Sequence, residues 1–297
     1  MASVERRRIQ EADRRSEGDP LAADWPAACR RMVAAQQELF EDERGIAART
    51  VYAGMGEGGD RTLAIDRSCE DIVFAELDRL YARGHRFTAI SEERGEVAFG
   101  DSSGIVVVID PLDGSLNARR TLPSHSLSLA VASGPTMADV EFGYVYDFGA
   151  SEEYVARRGA GATLDGRELR AEGPGYGLEV VGIEAAEPEL TVPPLEALEG
   201  KAYRMRCIGS IAISLSYVAG GRFDAMLTVR PCRSVDAAAG QLIAREAGAE
   251  VAFAGSGLDA ALDLDSRYHV AAALDRELLR TALNAQERAE PPPEVEG

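Results

Sequence analysis

The chain has 297 residues, 45% of them hydrophobic, and a formal net charge of −18 at pH 7. That is enough apolar sequence for one large core or two closely packed halves. The negative balance repels phosphate backbones and anionic lipid, which excludes nucleic acid and membrane as expected partners. Lys201 is the only lysine. Any anion-binding side chain is therefore expected to be an arginine, whose planar fork suits phosphate.

The four cysteines, Cys29, Cys69, Cys207 and Cys232, are widely spaced and form no C-x-x-C pair. They are expected to be free thiols in a reducing compartment. The N-terminus is charged and lacks the apolar stretch of a secretory signal, and the run Ile105 to Ile109 is too short to span a bilayer. A cytoplasmic location is expected.

Residues 1–22 are polar and expected to be flexible. Cys29, Met32, Val33, Gln36, Leu39 and Phe40 recur at helical spacing and predict a helix over 25–49. A glycine-rich stretch, AGMGEGGD at 53–60, is either a mobile loop or a plain linker. Asp66 precedes a second helix, 67–83, with Cys69, Val73, Leu77 and Leu80 on one face. Strands are predicted at 87–90, 104–109 and 127–131, then at 140–146 and 153–156. Asp165-Gly166 is a hairpin turn.

The second half restarts with strands at 178–183 and 202–206. Ser210 caps a helix to Ala219 that ends at Gly220-Gly221, and a strand covers 223–229. Ser234 caps a helix to about 247, followed by strands at 249–253 and 269–273 and a helix over 275–285. This order predicts a layered α+β or α/β sandwich. An N-terminal α+β half is expected over 23–148, a C-terminal α/β half over 149–286, and a disordered acidic, proline-rich tail over 287–297.

Four segments carry candidate chemistry. In VVVIDPLDGSLN, 106–117, a buried strand delivers Asp110 and then Asp113. Unpaired buried carboxylates are costly, and a hard divalent cation is their natural partner. Gly114 and Ser115 then offer backbone N–H groups at a helix start, where anions bind. The plainer alternative is an Asp-Pro turn followed by a capping Asp. Glu92 and Glu93 follow the strand ending at Ile90, and alone would be a solvated acidic loop. Asp236 lies in the first turn of a helix, where an acid also complements the dipole. The small residues Ala237, Ala238, Ala239 and Gly240 permit close approach to another backbone or a ligand. Asp66 alone would be a cap.

Taken together, SEE at 91–93, DPLDGS at 110–115 and VDAAAG at 235–240 resemble the inositol monophosphatase superfamily, including its bacterial and archaeal inositol monophosphatase/fructose-1,6-bisphosphatase members. The resemblance covers residues 25–285. GEGGDRTLAIDRSCED is similar to the family's loop-then-Asp segment, and FGYVYDFGASEEYVARRGAGATLDGREL to its mid-chain strands and hairpin.

The resemblance implies an αβαβα sandwich, commonly a homodimer, and a site with two to three Mg2+ ions. Glu92, Asp110 and the Leu112 carbonyl would hold one ion, and Asp110, Asp113 and Asp236 a second, with Glu92 touching a weaker third. Asp66 and Ser115 match the pair that orients the attacking water. Gly114 and Ser115 match the phosphate cradle, and Gly209 and Ser210 a substrate-side helix start. Phosphomonoester hydrolysis is among the slowest uncatalysed reactions, and a pair of metal ions can clamp both the attacking and the leaving oxygen. The expected reaction is direct attack of metal-activated water on a small polyol or sugar phosphate, with no phosphoenzyme.

Two positions depart from the family. Val235 stands where many relatives carry an aromatic residue, and His125, in TLPSHS, where Phe or Tyr is expected. His125 is a strand-edge residue or a substrate contact. Arg206, Arg230 and Arg233 bracket the substrate side. Arg230 in LTVRPCRSVD resembles the bifunctional enzymes and suits a second phosphate; the plainer alternative is a surface arginine in a chain whose basic residues are nearly all Arg. The expected substrate is inositol monophosphate, fructose 1,6-bisphosphate, or both. A 3′-phosphonucleotide or histidinol-phosphate phosphatase of the same superfamily is the alternative. A regulatory or binding protein that kept the fold is the non-enzymatic one.

Overall fold

The computed structural model describes residues 20–55, 61–101 and 104–289. Residues 1–19 of the N-terminal segment, 56–60 of the glycine-rich loop and 290–297 of the tail lie outside them. Pro20–Ala22 and Glu287–Ala289 are short 3-10 turns, and Ala289 is buried.

The first helix, α1 (Trp25–Asp42), starts where the Asp24 side chain accepts the Ala27 N–H at 3.1 Å. It stops at Asp42, short of the expected 49, because the chain turns at Gly45, whose φ of 94° is left-handed. Arg49, in a 3-10 turn at Ala48–Thr50, then ties this end down. Its guanidinium donates to the carbonyls of Glu43 (2.8 Å), Phe40 (2.8 Å) and Ala118 (3.0 Å). A short hairpin, β1 (Tyr52–Met55) and β2 (Arg61–Leu63), leads into α2 (Ala64–Ala82).

An eight-stranded sheet follows. Its strands are β3 (Phe87–Ser91), β4 (Gly95–Phe99), β5 (Val106–Asp113), β6 (Ser126–Ala132), β7 (Val140–Asp147), β8 (Glu152–Arg157), β9 (Gly161–Leu164) and β10 (Arg167–Leu169). The spatial order is β10-β9-β8-β7-β6-β5-β3-β4, all antiparallel except the parallel pair β3 and β5. The short helix α3 (Ser115–Arg119) joins β5 to β6. The β9–β10 turn is Asp165-Gly166, with φ of 50° and 74°, as an Asp-Gly hairpin requires.

The second sheet has the order β12-β11-β13-β15-β14, formed by β11 (Leu178–Glu184), β12 (Ala202–Arg206), β13 (Ala225–Thr228), β14 (Glu250–Phe253) and β15 (Val270–Ala273). The helices of this part are α4 (Pro188–Leu198), α5 (Ile211–Ala219), α6 (Ser234–Glu246) and α7 (Arg276–Gln286). Ser210 caps α5, accepting the Ile213 N–H at 3.2 Å. The cap residue of α6 is Arg233, one position before the expected Ser234, since Asp236 reaches back to accept the Arg233 N–H at 2.8 Å.

The layers follow from which faces are apolar. Trp25, Met32, Val73 and Leu77 of α1 and α2 pack on Val107, Ile109, Leu127, Leu129 and Val131 of the large sheet. Its other face, with Val108, Ala130 and Val145, meets α5 and α6 through Ala212, Leu215, Ala238 and Leu242, which also contact Met226 and Ala272 of the second sheet. Leu198, Leu279 and Ala282 of α4 and α7 cover that sheet's outer face. The result is an αβαβα sandwich with seven α-helices among the described residues. The small residues that open α6 serve a backbone approach. A Cβ on Gly143 of β7 would lie 2.8 Å from the Ala239 carbonyl oxygen, and one on Gly240 would lie 2.8 Å from the Leu215 Cβ.

Candidate active site

The parallel pairing of β3 and β5, with Ser91 opposite Ile109, sends both strands out at the same edge of the sheet. Glu92 and Glu93 therefore emerge beside Asp110. The strand does not end at Asp110 as expected. It runs on to Asp113 through an interruption of the β5–β6 ladder, where Asp110 pairs with Ser128 and Asp113 with Ser126. Two residues, Pro111 and Leu112, face only Leu127 in that interval. A bulge of this kind re-aims side chains. The Leu112 N–H donates to Asp110 Oδ1 at 2.9 Å, and Gln36 of α1 donates to the Pro111 carbonyl at 2.8 Å. Gly114 then turns the chain at a φ of 84° into α3, which begins at Ser115.

Asp236, third residue of α6, is brought in by the packing of that helix on β5, β6 and β7. Asp110, Asp113 and Asp236 each place a carboxylate oxygen within 4.8 Å of the others. Asp113 Oδ2 accepts the Ser210 hydroxyl at 2.5 Å and the Ala212 N–H at 2.8 Å. Burial pushes all three carboxyls above the usual range. At Asp110 the charges of Asp113, Glu92 and Asp236 add to this. Beside the cluster, a cavity of about 210 Å³ is lined by Asp66, Glu92, Glu93, Asp110, Pro111, Leu112 and Ser115. Asp66 reaches it from the first turn of α2 rather than from a cap before the helix.

Several hard oxygen donors held together in a desolvated, mutually repelling group match the chemistry of a divalent cation such as Mg2+. Nothing in the arrangement favours a softer metal, since no histidine or cysteine joins the cluster among the described residues.

Gly209 and Ser210 belong to the same locale, because Asn117 of α3 donates to the Ile208 carbonyl at 2.8 Å and Ser210 bonds Asp113. Arg206 and Arg230 do not line the cavity. Arg206 lies exposed on the edge strand β12, donating to the Met205 carbonyl at 2.8 Å, and Arg230 pairs with Glu187 at 2.5 Å. His125 is buried in an aromatic slot, stacked on Phe148 at 5.5 Å and edge-on to Phe40 at 5.2 Å. Its Nδ1 faces the Leu122 carbonyl at 3.1 Å. Of the three arginines expected on the substrate side, Arg233 contacts Glu92 with its guanidinium. One participant, Glu184, was not legible in the sequence: it sits buried beneath the loop that carries Gly209. It has no local signature, since its contacts join separate segments.

The description "Inositol monophosphatase family" matches residues 22–289. The chain is 34% identical over 235 residues to the fructose-1,6-bisphosphatase/inositol-1-monophosphatase of Methanothermobacter thermautotrophicus, covering 75% of this chain and 82% of that one. It is 36% identical over 209 residues to the protein of the same name from Archaeoglobus fulgidus, covering 68% and 74%. A crystal structure of an inositol monophosphatase-fructose 1,6-bisphosphatase superposes with a TM-score of 0.75 at 27% identity, covering 89% of this chain and all of that one. The chain therefore belongs to the inositol monophosphatase family of phosphoric monoester hydrolases.

Proposed function

We propose that the protein is a Mg2+-dependent phosphomonoesterase acting on small polyol or sugar phosphates, inositol monophosphate and fructose 1,6-bisphosphate among them. The observation that carries this reading is the convergence of Asp110, Asp113 and Asp236 beside a cavity that also receives Glu92, Asp66 and Ser115. Glu92, Asp110, the Leu112 carbonyl, Asp113 and Asp236 would hold two to three Mg2+ ions. Bound there, the metal would supply charge neutralisation for the phosphoryl group in flight and a water acidic enough to attack it. Asp66 and Ser115, which line the same cavity, would orient that water. The left-handed turn at Gly114 presents the phosphate to backbone N–H groups.

A covalent route through Ser115 is disfavoured. A serine nucleophile needs an adjacent base, and His125 is locked between aromatic rings with Nδ1 turned to a backbone carbonyl. Burial also lowers its proton affinity.

No helix among the described residues is long and apolar enough to cross a membrane. The cysteines Cys29, Cys69, Cys207 and Cys232 are free thiols, which supports a reducing, cytoplasmic setting. A homodimer is part of the same proposal. The edge strand β12 exposes Tyr203 and Met205, which sedimentation of the purified protein would test as a self-association surface.

The functional test is phosphate release with Mg2+ from inositol 1-phosphate, fructose 1,6-bisphosphate, histidinol phosphate and 3′-phosphoadenosine 5′-phosphate. Turnover of the first two, abolished by EDTA and by Asp113→Asn, is expected. Preference for either of the last two would move the substrate class. Full activity in chelator would overturn the metal reading, and absence of turnover on every substrate would leave a binding protein.

A further inference from the structure

The segment entering α5 is clamped from two sides. From below, Glu184, the last residue of β11, is 1% exposed. Its Oε2 accepts the Gly209 N–H at 2.7 Å, and its Oε1 accepts the Ile208 N–H at 3.0 Å and the Ser214 hydroxyl at 2.6 Å. From the opposite side Asn117 Nδ2 donates to the Ile208 carbonyl at 2.8 Å and to the Ser124 carbonyl at 2.7 Å. The space between is full. A Cβ on Gly209, whose φ is +83°, would lie 2.7 Å from Asn117 Nδ2, and one on Gly114 would lie 2.8 Å from the Ser124 oxygen and 3.1 Å from the Gly209 oxygen. The next residue, Ser210, bonds Asp113 Oδ2 at 2.5 Å, as does the Ala212 N–H at 2.8 Å.

A carboxylate this buried costs free energy unless its lone pairs are satisfied. Glu184 has its donors from one short stretch of backbone and the helix that follows. The same stretch touches Asp113 on its far side. The bonds to Glu184 and the bonds to Asp113 are thus two ends of one rigid element.

We propose that Glu184 is a positioning residue: with Asn117 it fixes the 208–210 backbone, and through Ser210 and the first turn of α5 it sets the orientation of Asp113 and the wall beside Gly114. The inference rests on reading Asp113 as a metal ligand. Outer-shell partners of a ligating carboxylate typically govern metal affinity by about 10- to 100-fold. Glu184 would act on the metal without touching it.

The test is Glu184→Gln in the full chain, which keeps the shape and turns one acceptor oxygen into an amide NH2 donor facing a backbone N–H. Calorimetric titration with Mg2+ should show half-saturation raised about tenfold. With saturating Mg2+, kcat should fall while KM for inositol 1-phosphate stays near wild type. Amide exchange should quicken over residues 207–213 and stay unchanged in the eight-stranded sheet. Ser214→Ala, which removes one donor to Glu184, should shift Mg2+ half-saturation in the same direction by less, and it decides the matter if the Gln variant does not fold. A lowered melting temperature with wild-type Mg2+ affinity would reduce Glu184 to a structural role and overturn the proposal. A wild-type protein that binds Mg2+ but hydrolyses nothing would sink the phosphatase reading instead, and the titration and exchange would still decide on Glu184.

Discussion

The hydroxyl of Ser210 donates to Asp113 Oδ2 at 2.5 Å, joining residues 97 positions apart. The same Ser210 oxygen accepts the Ile213 N–H at 3.2 Å and so caps α5. One side chain therefore starts the helix and orients the candidate ligand. Ser210→Ala should destabilise the protein by about 1 kcal/mol through the lost cap. It should also weaken Mg2+ binding by about tenfold, since the carboxylate loses a partner. Urea denaturation and metal titration measure the two effects separately. An unchanged metal affinity would place Asp113 outside the metal site.

Stability without metal should fall as pH rises. Burial pushes Glu184 and Glu70 each up to about 7 and raises Asp110, Asp113 and Asp236 as well. Carboxyls in an unfolded chain titrate near 4. Between these values the native state binds more protons than the unfolded state, so each pH step upward favours unfolding. The melting temperature in EDTA should drop from pH 5 to pH 8, and Mg2+ at pH 8 should restore most of the loss by neutralising the aspartate cluster. A melting temperature that rises over this range in EDTA would mean that the cluster is compensated by other means.

Patterns that depend on neighbours along the chain were legible in the sequence; contacts between distant segments were not. The strand β5 announces itself as an apolar run because both its faces are covered by helices, and β6 as an alternation of Leu127, Leu129 and Val131 with Ser126, Ser128 and Ala130. The Asp165-Gly166 turn and the Ser210 cap are local chemistry and are equally plain. The helix α4 is hidden by Pro193 and Pro194 inside it, residues that remove backbone donors and are poor helix formers. The strand β4 is an edge strand with only Phe99 buried, so its apolar signal is faint. In the site, Asp110 and Asp113 follow a buried strand and stand out. Asp236 gains meaning only from motif order, because its helix is folded back from 123 residues away. Arg206 and Arg230 look alike in sequence to Arg233, yet only Arg233 has its guanidinium on a residue lining the cavity. The difference lies in where β12 and the chain after β13 run, which composition does not encode.

Gly143→Ala should destabilise the fold by about 1–3 kcal/mol, the usual range for overpacking. The added methyl would meet the Ala239 carbonyl oxygen at 2.8 Å, and neither β7 nor α6 can retreat without opening the core between the sheets. Because α6 carries Asp236, a displaced helix should also weaken Mg2+ binding. Chemical denaturation gives the first effect and metal titration the second. Loss of stability with unaltered metal affinity would show that strain at β7 is absorbed before it reaches the helix terminus.

Arg233→Met isolates the charge that meets the acidic site from within the chain. The Arg233 guanidinium contacts Glu92, and its backbone N–H is held by Asp236 at 2.8 Å. Both side chains of the ion pair are largely shielded, so removing the cation leaves carboxylates facing one another with less compensation. The metal-free protein should lose about 1–3 kcal/mol. Mg2+ and the guanidinium neutralise the same carboxylate, so the variant should bind Mg2+ more tightly than wild type, and saturating Mg2+ should recover the lost stability by linkage. Methionine keeps the length and apolar stem of the side chain and limits any cavity. Melting temperatures in EDTA and in Mg2+, read beside a calorimetric titration, check both signs. Weaker Mg2+ binding in the variant would show instead that Arg233 supports Glu92 as a ligand rather than competing for it.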